Sequence, residues 1–239
     1  MIKLAISGCQ GRMGQNITTL ALKDNAFKIA ALLESKSRAD VPSVTHHIPV
    51  NFEDSALKGS DVLIEFTTPE ATLEHLKACQ KYGVNMVIGT TGLTKAQVAQ
   101  IKKASARIGI VFSSNMSVGV NLVFALIRQA SQITAKNYAI TLSETHHVHK
   151  KDAPSGTAKT MAEIAGQYSK SKVIDISSIR EGEVIGDHTI SFESPVDLIS
   201  IHHHAKTRGI FAEGSLVAAK FLSKKKKGLF NMQDVLGLK

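Results

Sequence analysis

Three histidines and two lysines fall within the six residues 146–151, inside the stretch Glu144-Thr145-His146-His147-Val148-His149-Lys150-Lys151-Asp152-Ala153-Pro154-Ser155-Gly156-Thr157-Ala158. Imidazole titrates near neutral pH and lysine stays cationic, so such a cluster can move a proton or hold an anion. It runs directly into a helix-start signal. Pro154 has the fixed φ of a first turn, Asp152 and Ser155 are capping residues, and Gly156 to Ala165 is alanine-rich. The backbone N–H groups of that first turn, set beside the cations, favour a carboxylate or phosphate. Two other readings stand beside this one. Basic loops are commonly only solvated surface. A metal needs ligands on one side, and on an extended segment only His147 and His149 share a face. With no cysteine near and lysines interleaved, no metal site is expected.

A second constellation is Gly8-Cys9-Gln10-Gly11-Arg12-Met13-Gly14, between the apolar strand pattern Ile2–Ser7 and the helical pattern Ile17, Leu20, Ala21. Its G-x-x-G-x-x-G spacing is a variant of the dinucleotide-binding fingerprint, and the strand before and helix after give it meaning. Glycines let the backbone approach a pyrophosphate, and the Arg12 guanidinium can pair with phosphate. The next strand, Lys28–Leu33, ends in Glu34, about 20 residues after the last glycine, where an acid accepts hydrogen bonds from ribose hydroxyls. Any charged residue can end a strand. It is loop, helix, strand and acid in register that predict NADPH or NADH. Ser35-Lys36-Ser37-Arg38 adds polar and basic groups for a 2′-phosphate, so both cofactors are expected to be accepted.

These groups require a frame. The pattern continues with strand Val62–Phe66, the turn Thr67-Thr68-Pro69, helix Glu70–Tyr82, strand Asn85–Ile88, Gly89-Thr90-Thr91-Gly92, helix Lys95–Ala106 and strand Gly109–Phe112. The residues after each strand face the crevice where open parallel sheets bind ligands. Phe66, Gly89, Thr90 and Thr91, with Ser113, Ser114, Asn115 and Met116, are therefore candidate cofactor contacts, although each turn is also ordinary loop chemistry. Val41–Lys58 reads as an irregular excursion with one short strand. Near Ser117 the pattern changes to an apolar helix Asn121–Ile133, strand Tyr138–Glu144, helix 156–168, and strands Val173–Ser178, Gly186–Glu193 and Val196–His202. His202-His203-His204 closes the last strand, and an apolar helix Ile210–Leu222 is expected to pack back on the first domain. The expected fold is α/β. A Rossmann-type parallel-sheet domain (residues 1–117 and 209–239) is joined to an α+β substrate domain (118–208) with an open mixed sheet.

The 239 residues are 43% hydrophobic with a mean hydropathy of +0.01, enough for a genuine core. Four of the nine net positive charges lie in Lys224–Lys227, aromatics are 5%, and tryptophan is absent. That balance gives no nucleic-acid signature. No apolar run is long enough to span a bilayer and no signal peptide is read, so a cytoplasmic location and no membrane partner are expected. Two cysteines suit a reducing compartment, with Cys9 the candidate for oxidation.

The residues Glu144 through Ala158, Gly8–Gly14 with its Gly-Arg-Met-Gly ending, Ile88–Gly92, Ser117–Asn121 and Gly228–Met232 together resemble the 4-hydroxy-tetrahydrodipicolinate reductase (dihydrodipicolinate reductase) family. The resemblance implies a Rossmann domain completed by the C-terminal segment, a homotetramer joined through the open sheets, and NAD(P)H-dependent reduction of a cyclic imine dicarboxylate. It implies His146 as general acid, Lys150 as cationic partner, His147 as substrate contact, and Gly156 and Thr157 as backbone donors to a substrate carboxylate. The chain departs from the family pattern at Ser35 and Lys36, at Met116 and at His204. A two-domain dehydrogenase of the aspartate or homoserine type shares the plan without needing the His-His-x-x-Lys motif. A non-enzymatic dinucleotide sensor is the remaining alternative.

Overall fold

The computed structural model describes residues 1–36, 41–134, 137–168 and 174–238; Ser37, Arg38 and Val173, which carried expectations above, lie outside the described residues. The chain divides into two compact units, Met1–Ser117 with Phe211–Gly237, and Val118–Ile210 with Leu238–Lys239.

The first unit runs β1 (Ile2–Ser7), α1 (Arg12–Leu22), β2 (Phe27–Leu33), β3 (Val44–Thr45), β4 (Ile48–Asn51), β5 (Val62–Glu65), α2 (Pro69–Tyr82), β6 (Asn85–Ile88), α3 (Lys95–Ala104) and β7 (Gly109–Phe112). It is completed by α6 (Gly209–Leu222), β12 (Gly228–Phe230) and α7 (Met232–Leu236). The sheet order is β12-β7-β6-β5-β1-β2-β4-β3, with every pair parallel except β3 and β4. Parallel strands covered on both faces need apolar residues at successive positions, and Val62-Leu63-Ile64 supplies them. Val62 and Ile64 join a core with Leu4, Ile17 and Leu216, whereas Leu63 joins another with Leu76 and Ile101. Each fully buried aliphatic side chain contributes roughly 1.5–3 kcal/mol. Strand order reverses on either side of β1, so the crevice at the carboxyl ends of β1, β2 and β5 is the switch point of the fold.

The second unit contains α4 (Val118–Thr134), β8 (Ala139–His146), α5 (Gly156–Gly166), β9 (Ile176–Arg180), β10 (Asp187–Glu193) and β11 (Leu198–His204). Its sheet, ordered β11-β10-β8-β9, is antiparallel except for the parallel β8–β9 pair. Phe124, Ile127 and Met161 from the helices pack on Leu142, Ile190 and Phe192 of the sheet. The α/β architecture with a separate open mixed sheet is the one expected.

Several boundaries differ. Residues 41–58 hold two strands rather than one, turned by His46 and His47 at φ 51 and 63. α4 starts at Val118, three residues before the predicted Asn121. β8 continues through His146, so that histidine is a strand residue. β11 begins at Leu198 because the Ser194 hydroxyl accepts from the N–H groups of Val196 and Asp197, which folds that segment into a turn. Pro154 precedes the α5 cap instead of entering its first turn; Ser155 is the cap, accepting from Ala158 N–H at 3.2 Å.

Candidate functional site

Alternation along a strand fixes which side chains share a face. In β8 the buried set is Leu142, Glu144 and His146, and in β10 it is His188, Ile190 and Phe192. Register then pairs Glu144 with His188 and His146 with Arg180. One sheet face thus passes from apolar core to a cluster of ionisable groups.

The Glu144 carboxylate, 1% exposed, accepts hydrogen bonds from His146 Nδ1, from Arg180 Nη2 at 3.0 Å and from Ser155 N–H at 3.3 Å. Burial pushes its pKa up, but hydrogen bonds led by that from Arg180 outweigh this and hold the carboxyl below its ordinary value. His146 is buried and meets the His188 ring edge-on, with centroids 5.1 Å apart. Burial lowers the His146 pKa, Glu144 opposes, and the charges of Lys150 and Arg180 add to the lowering, leaving a net depression. With its proton on Nδ1 toward Glu144, His146 turns Nε2 toward Gly186, where a Cβ would stand only 3.0 Å away. The missing side chain at position 186 keeps that nitrogen open. His188 Nε2 lies 3.2 Å from Ser155 Oγ, and its Nδ1 is buried without a partner. Burial and the neighbouring His146 push His188 down to about 4.

After β8, His147 N–H donates to Val184 O at 2.6 Å and steers the chain out of the sheet. Lys150 Nζ contacts Asp152 Oδ1 at 2.7 Å, and the Asp152 carbonyl accepts from Arg180 Nη2 at 2.6 Å. Gly156 stands exposed at the first position of α5, followed by Thr157. His146, Lys150 and the start of α5 are thereby tied together through Glu144, Asp152 and Arg180. His149 instead faces outward, 3.5 Å from Glu183. Potential ligand atoms of Glu144, His146 and His188 lie within 4.8 Å of one another. That carboxylate is already committed to a guanidinium, an imidazole and a backbone N–H, an arrangement suited to proton handling and unfavourable for a cation.

In the first unit a cavity of about 830 Å³ lies at the carboxyl ends of β1, β2 and β5, lined by Gly8, Gly11, Glu34, Phe66, Thr67 and His75 among others. The glycine loop is shaped by close approach: a Cβ at Gly14 would be 2.1 Å from Gly8 O, and one at Gly89 would be 2.2 Å from the Phe66 ring. Gly8 itself has φ +60, a region open to glycine. Gln10 N–H donates to Glu34 Oε2 at 3.0 Å and Cys9 N–H to Leu33 O at 3.1 Å, which seats the loop on β2. Bare backbone, an acid and this volume fit a dinucleotide.

Not every expected contact lines that cavity. Cys9 is fully buried, so the expectation of ready oxidation is overturned. Met116 is a core residue at 2% exposure, which leaves its backbone as the part able to meet a cofactor. Arg12 is exposed at the start of α1, Met13 packs against the core, and Thr91 and Ser114 are exposed. The Thr90 hydroxyl accepts from Thr67 N–H at 3.1 Å, and Asn115 Oδ1 accepts from Ser117 N–H at 2.8 Å while Ser113 Oγ bonds Asn115 O at 3.1 Å. These residues order the turns after β5, β6 and β7.

Sequence reasoning missed a hub beneath the cavity. Glu65, fully buried, accepts from Ser7 Oγ at 2.5 Å, from Thr67 Oγ1, and from His75 Nδ1 at 2.5 Å. His75 also lies 3.5 Å from Asp54. Burial lowers the His75 pKa, but the Glu65 hydrogen bond and the charges of Glu65, Asp54 and Glu74 leave it raised. An acid closing the otherwise apolar run Val62-Leu63-Ile64, with Thr72 and His75 one helical turn apart downstream, was the available signal. Gly186, His188 and Arg180 were likewise missed.

The family model described as "Dihydrodipicolinate reductase, N-terminus" matches residues 2–116, and "Dihydrodipicolinate reductase, C-terminus" matches residues 119–236. A 4-hydroxy-tetrahydrodipicolinate reductase of Laribacter hongkongensis is 40% identical over 268 residues, covering 100% of this chain and 99% of the relative. That of Nitrosomonas eutropha is 39% identical over 266 residues, with 100% and 99% covered. Among solved structures, the dipicolinate-bound dihydrodipicolinate reductase from Paenisporosarcina sp. TG-14 has a TM-score of 0.86 at 25% identity, covering 98% of each chain.

Proposed function

The chain belongs to the dihydrodipicolinate reductase family, and from that premise we propose that it reduces 4-hydroxy-tetrahydrodipicolinate to tetrahydrodipicolinate with NADPH or NADH, in diaminopimelate and lysine biosynthesis. The observation that carries the assignment to a site is His146, held by Glu144 with Nε2 open beside Gly186. The reduced nicotinamide, when bound, supplies a hydride. The backbone of Gly8 to Met13 holds the pyrophosphate and Glu34 the ribose hydroxyls. Gly89, Thr90, Thr91 and Ser113 to Met116 border the nicotinamide half.

In this reading residues 1–117 and 209–239 form the dinucleotide domain, and 118–208 the substrate and oligomerisation domain. Lys150 and the N–H groups of Gly156 and Thr157 hold the carboxylates of the substrate, with His147 as a further contact. His146 rests neutral because burial, with the charges of Lys150 and Arg180, outweighs Glu144. A bound dicarboxylate adds negative charge close by and reverses that balance, so His146 takes up a proton together with the substrate. The hydroxyl leaves as water together with a hydrogen from the neighbouring ring carbon, which leaves the ring unsaturated; that ring then takes the hydride at one carbon and the Nε2 proton at the next, so each turnover gains one hydride and one proton and loses one water. The exposed Ile179, Leu198 and Ile199 of the second sheet support a homotetramer. A monomer in light scattering would refute it. Among the described residues no helix is long and apolar enough to cross a membrane, in keeping with a cytoplasmic location.

The test follows NADPH absorbance with freshly generated substrate. His146→Ala is expected to lower turnover about 10²- to 10⁴-fold with unchanged cofactor affinity. Lost cofactor binding with normal turnover would overturn the assignment. Lys150→Ala is expected to raise KM as well as lower the rate, and wild-type kinetics would remove it from the site.

A further inference from the structure

Arg180 ends β9 directly across from His146, yet no step above uses it. Its Nη2 donates both to the buried Glu144 carboxylate at 3.0 Å and to the Asp152 carbonyl at 2.6 Å, and Nη1 donates to Ile179 O at 2.6 Å. Glu144 holds His146, and Asp152 holds Lys150 at 2.7 Å. A single guanidinium therefore stands behind both groups assigned to the chemistry. The backbone is stitched at the same place, with Glu181 N–H donating to His146 O at 2.8 Å.

We propose that Arg180 is a positioning residue that neutralises Glu144, so that His146 is free to cycle its proton, and that seats Lys150 through the Asp152 segment. The inference rests on the reading of His146 as proton donor. The physical reason is charge balance. A buried carboxylate bonded only to an imidazole would lock that imidazole as a cation, since an opposite charge at contact distance favours the charged form. A guanidinium on the second carboxylate oxygen cancels most of that field. The charged and titratable groups around His146 are Glu144 on its own strand, Arg180 on β9, His188 on β10 and Lys150 in the following loop; α5 contributes the uncharged Ser155. Of these groups, among the described residues, Arg180 alone bonds both Glu144 and the Asp152 carbonyl. Lysine cannot reproduce the arrangement, because one ammonium lacks the second nitrogen that donates to Ile179 O while Nη2 holds both Glu144 and the Asp152 carbonyl.

The test reads the His146 imidazole by NMR in the full chain, in wild type, Glu144→Gln, Arg180→Gln and Glu144→Gln/Arg180→Gln. Arg180→Gln is expected to raise the His146 midpoint by about one pH unit or more. In the Glu144→Gln background the same change is expected to lose most of that effect, because the carboxylate through which it acts is gone. An unchanged midpoint in Arg180→Gln, or the same upward shift with and without Glu144, overturns the proposal. Arg180→Gln leaves a buried charge short of its partner and costs the fold stability; the double variant has neutralised both members. Comparing it with Glu144→Gln, and Arg180→Lys with wild type, keeps the question decidable. Arg180→Lys is expected to raise the substrate KM several-fold while cofactor affinity stays constant, and an unchanged KM counts against the seating of Lys150. If the midpoints move as expected but the acid or alkaline limb of kcat does not follow them, the proton-donor role of His146 fails, while the part of Arg180 in setting its charge stands.

Discussion

Acid should loosen the second unit through His188, and the size of the effect follows from its surroundings. The ring is 4% exposed, one nitrogen bonds Ser155 Oγ, and the other has no acceptor for an added proton. Its pKa is pushed down to about 4 from the ordinary 6.5. The unfolded chain therefore binds this proton more readily than the folded one, and folding loses stability as pH falls below 6.5, levelling off near 4. Linkage gives a loss of about 2 kcal/mol at pH 5 and about 3 kcal/mol at pH 4 from this group alone. His188→Gln removes the titration while keeping an amide near Ser155. Native-state hydrogen exchange of β8 and β10 amides in both proteins, at pH 7 and pH 5, measures the local opening free energy. Wild type is expected to lose about 2 kcal/mol more than the variant between those values. Acidic groups and the remaining histidines titrate in both proteins and largely cancel in the difference. Equal losses, within about 0.5 kcal/mol, would refute the account of His188 as a buried neutral imidazole.

His75 gives the opposite sign. Its raised pKa stabilises the first unit below pH 6.5, and the contribution fades as pH rises through the higher folded-state value. Protection of β5 and β6 amides should therefore decline between pH 6 and pH 8, and His75→Gln should flatten that slope. Glu65→Gln keeps the shape but strips the charge that Ser7, Thr67 and His75 address; a destabilisation of about 1–3 kcal/mol in urea unfolding is expected, and no change would dismiss the hub. Gly14→Ala drives a Cβ into Gly8 O at 2.1 Å, so fluorescence titration should show NADPH binding weakened at least tenfold, with normal binding removing the loop from the cofactor site. Glu34→Ala should weaken either dinucleotide in the same titration, and an unchanged affinity would undo its ribose role.

What could be read from the sequence was whatever depends on local pattern. The strand Ile2–Ser7, its glycine loop and Glu34 announce themselves because a turn, a helix start and a strand end each leave a mark within a few residues. The β3–β4 hairpin left none. Its two turn residues are His46 and His47, both at positive φ, where asparagine and glycine would have been the telling pair. The convergence of Glu144, Arg180 and His188 was invisible for another reason. It depends on the register of one parallel and one antiparallel pairing across residues 144 to 188, and sequence spacing carries no register between strands. His146 was singled out for its neighbours in sequence, whereas its behaviour is governed by neighbours in space. The glycine at 186 read only as the first residue of a strand, and its use became plain only beside an imidazole.

The first unit is not finished where its main run of chain ends. β12 pairs with β7, Gly228 opposite Gly109, and Asn85 locks the approach by donating to the carbonyls of Leu222 and Lys225 at 2.9 and 2.8 Å. During synthesis the ribosome must therefore deliver the whole second unit before that seam can close. Until then β7 is a bare margin of Ile110 and Val111 open to any passing strand. A nascent chain stalled before residue 228 should lean on chaperones for that interval, whereas the second unit, contiguous but for its last two residues, can fold as it emerges.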